Sequence, residues 1–251
     1  TDERYLNLED TWAEQLEKAF RDNSKYIDVV NAGIDGQSSF GHIWNLREWI
    51  NKIDDLKINN IIFYIGINEK EYPGRHDLNI DRVKYPKKIL YILKYNNGFV
   101  SKLYEFFVHK YNPIDELNVA HSKSRTANYK KILPSNNFNT NFLSKNINEL
   151  IKISKELKIN PIFVTQRTAR WKLNNNQVYS ISEGYDYYSR EKIISETILK
   201  ICEKYKLICI DGFNQLNLNN EDTYDLVHTN PEGSKKIANF IFKSLQKEGF
   251  K

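Results

Sequence analysis

At 251 residues the chain is long enough to bury a full core, and a balance of 40% hydrophobic to 27% charged residues excludes disorder of the whole. A formal charge of +5 tilts the surface only mildly towards anionic partners, and clusters such as Lys84, Lys87 and Lys88 read as solvated faces, so nucleic-acid binding is not expected. Neither an apolar leader at Thr1-Asp2-Glu3-Arg4 nor a run of about 18 apolar residues occurs, so no signal peptide or membrane span is expected within these residues and a cytoplasmic setting is favoured.

Thr11-Trp12-Ala13-Glu14 has the spacing of a capping box, and Trp12, Leu16 and Phe20 follow at helical spacing, which predicts a first helix. Ile27 to Val30 is a short apolar strand, followed by the polar stretch Asn31 to Gly36. A second helix is predicted from Phe40 to Ile53 through Ile43, Leu46, Trp49 and Ile50. Asn60 to Ile65 is almost continuously apolar, as a strand buried on both faces would be, and Gly66 ends it.

The segment from Glu71 to Thr140 is too long for an ordinary connection. Its Leu90, Leu93, Phe99, Leu103, Phe106 and Phe107 predict helices that form a cap over the site, an accessory layer or an oligomer interface. Arg75, His76 and Arg125 are candidate anion contacts within it, with no catalytic role expected. Further on come a helix near Asn141 to Leu157, a strand at Ile162 to Thr165, a helix near Tyr188 to Tyr205 and a strand at Leu207 to Ile210. A last helix follows Pro231, with Asn230 or Thr229 as its cap. Cys202 and Cys209, the two cysteines, are expected as buried thiols rather than as a disulfide or metal pair.

Short strands alternating with long helices predict an α/β fold: a three-layer, doubly wound parallel sheet, as in flavodoxin-like proteins, in one domain spanning 1–251 with 71–140 as a helical insertion. Ligand-handling loops of such sheets lie at the carboxyl ends of the strands. Asn31 to Gly36, Gly66 to Glu69, the residues after Gln166, and Asp211 to His228 all fall there.

Asp225-Leu226-Val227-His228 sets a carboxylate and an imidazole three residues apart, close enough for the acid to orient the ring while its other nitrogen takes a proton from a hydroxyl nucleophile. A surface Asp beside a capping His is the other reading of that spacing. Gly36, through its N–H, and Asn68, through its amide, are candidate donors to an acyl oxygen; a turn glycine and a turn-capping asparagine are the alternatives. No cofactor motif of the G-x-G-x-x-G or Walker type occurs, and neither a cofactor nor a metal is expected.

Taken together these residues resemble the SGNH, or GDSL-like, hydrolase superfamily. Asn31-Ala32-Gly33-Ile34-Asp35-Gly36 is similar to its second block, Gly66-Ile67-Asn68-Glu69 to its third with Glu69 in place of the usual aspartate, and Asp225-Leu226-Val227-His228 to its fifth. The resemblance implies a serine-type ester hydrolase with Asp225 and His228 as acid and base and Gly36 and Asn68 as oxyanion donors. The first block, which carries the nucleophilic serine, is absent. Ser38, Ser39, Ser122, Ser124 and Ser234 do not replace it, and the serine is expected on a strand before Thr1.

Thr1-Asp2-Glu3-Arg4-Tyr5 and Glu9-Asp10-Thr11-Trp12 resemble the stretch that follows the first block in bacterial members acting on polysaccharides. The implied partner is therefore an acylated small molecule or glycan, with removal of an O-acetyl group favoured. Transfer of an acyl group to a bacterial glycan and a catalytically silent glycan-binding protein are the alternatives.

Overall fold

The structure, a computed structural model, describes residues 6–73, 77, 127–135, 138–181 and 186–250. Helix α1, Trp12–Asp22, starts where Thr11 Oγ1 accepts from the Glu14 N–H at 3.5 Å, and it buries Leu16 and Phe20. Each such side chain contributes about 1.5–3 kcal/mol when fully withdrawn from water. Helix α2 is Ser39–Glu48. The expected continuation to Ile53 is interrupted at Trp49, whose φ of −147° leaves the helix, and Ile50–Lys52 forms a separate 3-10 turn.

Strand β1, Asn60–Ile65, is followed by β2, Lys130–Lys131; helix α3, Asn141–Glu156; and β3, Asn160–Thr165. A hairpin of β4, Trp171–Asn174, and β5, Gln177–Ser180, comes next, then helix α4, Tyr187–Tyr205. Strand β6, Cys209–Ile210, the short α5, Gly212–Gln215, and α6, Pro231–Lys247, complete the order.

The main sheet has the order β1-β3-β6 and is parallel, with Asn60 opposite Asn160 and Ile65 opposite Thr165. Alternation along each strand sends side chains to both faces. Phe63, Ile65 and Phe163 pack with α2, α3 and α4, whereas Ile162, Val164 and Ile210 pack with α1 and α6. The result is the expected three-layer α/β arrangement. A second, antiparallel sheet of order β2-β5-β4 stands apart from it.

Two local expectations are corrected. Ile27 to Val30 is not assigned to a strand: the Val29 N–H is taken by a Glu17 carboxylate oxygen at 2.8 Å, and Tyr26 and Val30 are 96% and 72% exposed. Along the same side of the main sheet, β1 has no ladder partner among the described residues, and a slot of about 1160 Å³ runs between it and residues 26–36. Helices α1 and α6 line the slot with Leu16 and Ile237.

Cys202 and Cys209 are joined in a disulfide rather than remaining thiols. Lys206, in the left-handed conformation at φ 53°, turns the chain back from α4 into β6 and brings their Cα atoms to 6.2 Å, a spacing that disulfides bridge. The expected cap between Glu71 and Thr140, with Arg75, His76 and Arg125, lies largely outside the described residues.

Candidate active site

Four loops meet at the carboxyl edge of the main sheet. The one before α6 is held locally: Thr223 and Thr229 form a bridge, the Tyr224 N–H donates to His228 O at 2.9 Å, and Leu226 is buried at a φ of 74°. Within this bend Asp225 Oδ1 accepts from the N–H groups of Val227 and His228, and Asp225 Oδ2 lies 2.7 Å from His228 Nδ1. Burial alone would raise the Asp225 carboxyl, but the hydrogen bonds from His228 and Val227 and the neighbouring imidazole outweigh it, and the carboxyl is drawn down to about 2. It is therefore an anion that holds the ring through Nδ1. His228 Nε2 faces Asp35 Oδ1 at 4.0 Å.

The backbone after His228 is equally fixed. Asn230 Oδ1 accepts from the Gly233 N–H at 3.0 Å and its amide donates to Glu221 O, with Pro231 in the first turn of α6. A Cβ at Gly233 would stand 2.0 Å from Asp222 O, so only glycine permits this approach of helix to loop.

Gly36 has a φ of 71° in a turn closed by the Gln37 N–H on Ile34 O, a conformation that favours glycine. Asn68 lies in the turn after β1, where the Ile67 N–H donates to Gln166 Oε1 at 2.7 Å and the Glu69 N–H to Gly66 O at 3.2 Å. Neither the Gly36 N–H nor the Asn68 amide is taken by another group among the described residues. Gly36, Asn68 and His228 all line the slot beside β1, and Asp225 reaches it through His228.

Glu69 occupies the position after Asn68, and its longer side chain has a defined use. Its carboxylate, 1% exposed, accepts from the Ser39 N–H at 2.6 Å and the Ser39 hydroxyl at 2.7 Å, and the Asn146 amide donates to the same hydroxyl. The turn carrying Asn68 is thereby tied to the start of α2, three residues after Gly36. Burial pushes the Glu69 carboxyl up to about 7, against the pull of the Ser39 hydrogen bonds. Asp77 holds Ser38 in the same way, through its N–H at 2.6 Å and its hydroxyl at 2.8 Å.

Ser38, Ser39 and Ser234 are thus engaged structurally, the last sharing a 2.8 Å hydrogen bond with Thr229 Oγ1. Ser122 and Ser124 lie outside the described residues.

The loop after Gln166 lies at the same edge, where the sequence alone marks no individual residue. The Ala169 N–H donates to Leu226 O at 2.9 Å, which ties this loop to the Asp225–His228 bend and brings Arg167 and Arg170 to the slot. Behind them Glu191, 5% exposed, accepts from the Thr168 N–H and hydroxyl and from Trp171 Nε1; burial raises its carboxyl. No sequence signal marks this contact, since Glu191 follows Thr168 by 23 residues, across the β4–β5 hairpin. Among the described residues no group of three or more His, Cys, Asp or Glu could hold a metal ion, and no helix is long and apolar enough to cross a membrane.

Neither a protein-family model nor a curated protein matches the sequence. Among solved structures, one described as a possible lipase from Chitinophaga pinensis superposes with a TM-score of 0.46 at 13% identity, covering 99% of this chain and 96% of its own. A GDSL-like lipase from Bacteroides thetaiotaomicron superposes with a TM-score of 0.50 at 15% identity, over 94% of this chain and 82% of its own. The chain thus has the α/β fold of that GDSL-like lipase, three layers about a parallel sheet with its polar loops at one edge.

Proposed function

We propose that this chain is a serine-type carboxylic ester hydrolase that removes an O-acyl group, acetyl in the favoured case, from a carbohydrate or similar alcohol. The observation that carries the reading is the 2.7 Å contact between Asp225 Oδ2 and His228 Nδ1 at a cavity that Gly36 and Asn68 also line. An ionised Asp225 holds the ring in one orientation and stabilises its imidazolium form, as a general base at a hydroxyl requires. The free N–H of Gly36 and the free amide of Asn68 suit an oxygen that gains negative charge.

In this reading the nucleophile is a serine at the end of an extended strand that lies along β1 and leaves open the mouth of the slot at Gly36, Asn68 and His228. Its hydroxyl attacks the acyl carbonyl carbon and passes its proton to His228 Nε2. Collapse of the tetrahedral intermediate breaks the bond to the alcohol oxygen, which receives that proton from His228. Water then repeats the sequence on the acyl-serine, releasing the acid and restoring the hydroxyl.

The test is fluorophosphonate labelling of the folded polypeptide, expressed with whatever residues its gene encodes ahead of Thr1, followed by peptide mapping. One adduct on a serine ahead of Thr1, absent after heat denaturation, supports the mechanism. A folded protein that takes no label and releases no acetate from acetylated saccharides overturns it in favour of a silent glycan-binding protein. An acetyl group passed to the hydroxyl of an added saccharide instead of to water identifies a transferase using the same groups.

A further inference from the structure

Arg167 and Arg170 are the cations in the loop tied to the Asp225–His228 bend, and both line the slot beside His228 and Asn68. Arg167 lies over the Trp171 ring, 4.1 Å from its centroid, and donates to Phe213 O at 3.2 Å; its Nε is buried without a hydrogen-bond partner. Arg170 lies over the Tyr187 ring at 4.7 Å. Neither guanidinium forms an ion pair with a described carboxylate.

The acidic groups nearby are otherwise engaged. Glu191 is held by Thr168 and Trp171, Glu69 is held by Ser39, and Asp35 faces His228. Two arginines remain, half-buried and stacked on aromatic rings, without a direct ion pair to a described carboxylate, although the buried Glu191 charge behind the loop reaches both. A guanidinium in that condition is suited to a planar anion, because partial desolvation and a fixed ring stack reduce what is lost on binding.

We infer that Arg167 and Arg170 bind an anionic group, a carboxylate or a phosphate, on the alcohol portion of the ester. That the bound molecule is an ester rests on the hydrolase reading, whereas anion binding at these residues stands on the loop geometry alone. A neutral acylated sugar meets the same acyl site but gives neither guanidinium an anion to bind. An acidic sugar or a sugar phosphate occupies them and is held with its ester towards His228.

The experiment separates the two claims. Binding of methyl glucuronoside, methyl glucoside and glycerol 3-phosphate is measured by NMR titration at low and high salt on the wild-type chain, Arg170→Gln and Arg167→Lys. The expected result is that at least one anionic probe binds about tenfold or more tightly than methyl glucoside. Its advantage falls towards parity in Arg170→Gln, is retained in part in Arg167→Lys, and shrinks as salt rises. Preference for methyl glucuronoside assigns a carboxylate and preference for glycerol 3-phosphate assigns a phosphate.

Equal binding of charged and neutral probes, or an anion preference unchanged in Arg170→Gln with its fold verified by circular dichroism, overturns the inference. Mono-acetylated methyl glucuronoside and methyl glucoside are then compared as substrates. Arginine-dependent anion binding without acetate release from either defeats the hydrolase reading and leaves the anion site standing.

Discussion

Asp225 and Glu69 are carboxylates on two loops at the carboxyl edge of the sheet, and their surroundings move their acidity in opposite directions. Asp225 stands partly in water and accepts three hydrogen bonds within its own bend, so it is held as an anion down to about pH 2. Glu69 is sealed from water and accepts from a serine 30 residues away, and burial wins over those bonds to raise it to about 7. One acid works on its neighbour through charge. The other joins two segments that the chain keeps far apart, at the cost of an easily lost charge.

The largest expected effect lies on the Asp225 side. If His228 is the general base of an ester hydrolase, His228→Ala lowers the rate of acetate release from an acetylated saccharide by about 100-fold or more. Its melting temperature stays near that of the parent, because the side chain is partly exposed. A wild-type rate in this variant would remove the pair from the mechanism.

On the Glu69 side the expected loss is of stability first. Glu69→Ala leaves the Ser39 N–H without an acceptor and deprives the Ser39 hydroxyl of its own, at about 1–3 kcal/mol for each buried group. Thermal denaturation therefore shows a fall of several degrees. A melting temperature unchanged by this variant would show that the two segments hold together without the carboxylate.

Gly233→Ala acts on the Asp225 side from behind. A methyl group 2.0 Å from Asp222 O forces the start of α6 away from the loop, at about 1–3 kcal/mol as for other overpacked sites. The variant should unfold at lower denaturant and, through the displaced Asn230 cap, lose part of any ester turnover.

The smallest effect is a difference in the pH dependence of stability. Glu69 has a folded value of about 7 against an ordinary 4.5, so the native state retains a proton that the unfolded chain has lost, and stability declines between about pH 4.5 and 7. Asp225 has a folded value of about 2 against 3.8; its contribution is present above about 3.8 and is lost as pH falls towards 2. Urea midpoints across this range should decline less between pH 4.5 and 7 in Glu69→Gln than in the parent. The same slope in both proteins would refute the elevated acidity constant assigned to Glu69.

Features set by a few consecutive residues were legible in the chain. The Asp225–His228 spacing, the Asn230-Pro231 start of α6, and the apolar runs of β1 and β3 each depend on partners within a turn or on burial of a continuous segment. The β4–β5 hairpin carries a local signal as well: Asn175 and Asn176 both take positive φ, at 48° and 60°, in a two-residue turn, and asparagine is suited to that conformation. Ile27 to Val30 shows the converse. Its apolar run marks a capacity for strand, but a strand needs a neighbour to take its backbone groups, and the Val29 N–H finds a side chain instead.

The sequence by itself determined the alternation of strands and helices, the apolar faces that make three layers, and the local bend joining Asp225 to His228, because each follows from periodicity or from contacts a few residues apart. Only the tertiary structure decided that Glu69 closes on Ser39, that Cys202 meets Cys209, and that Arg167 and Arg170 come to a slot lined by Gly36, Asn68 and His228. Those outcomes depend on how whole elements cross and turn back on one another, and the free energy that selects the crossing is spread over the buried faces rather than carried by any residue that a motif could mark.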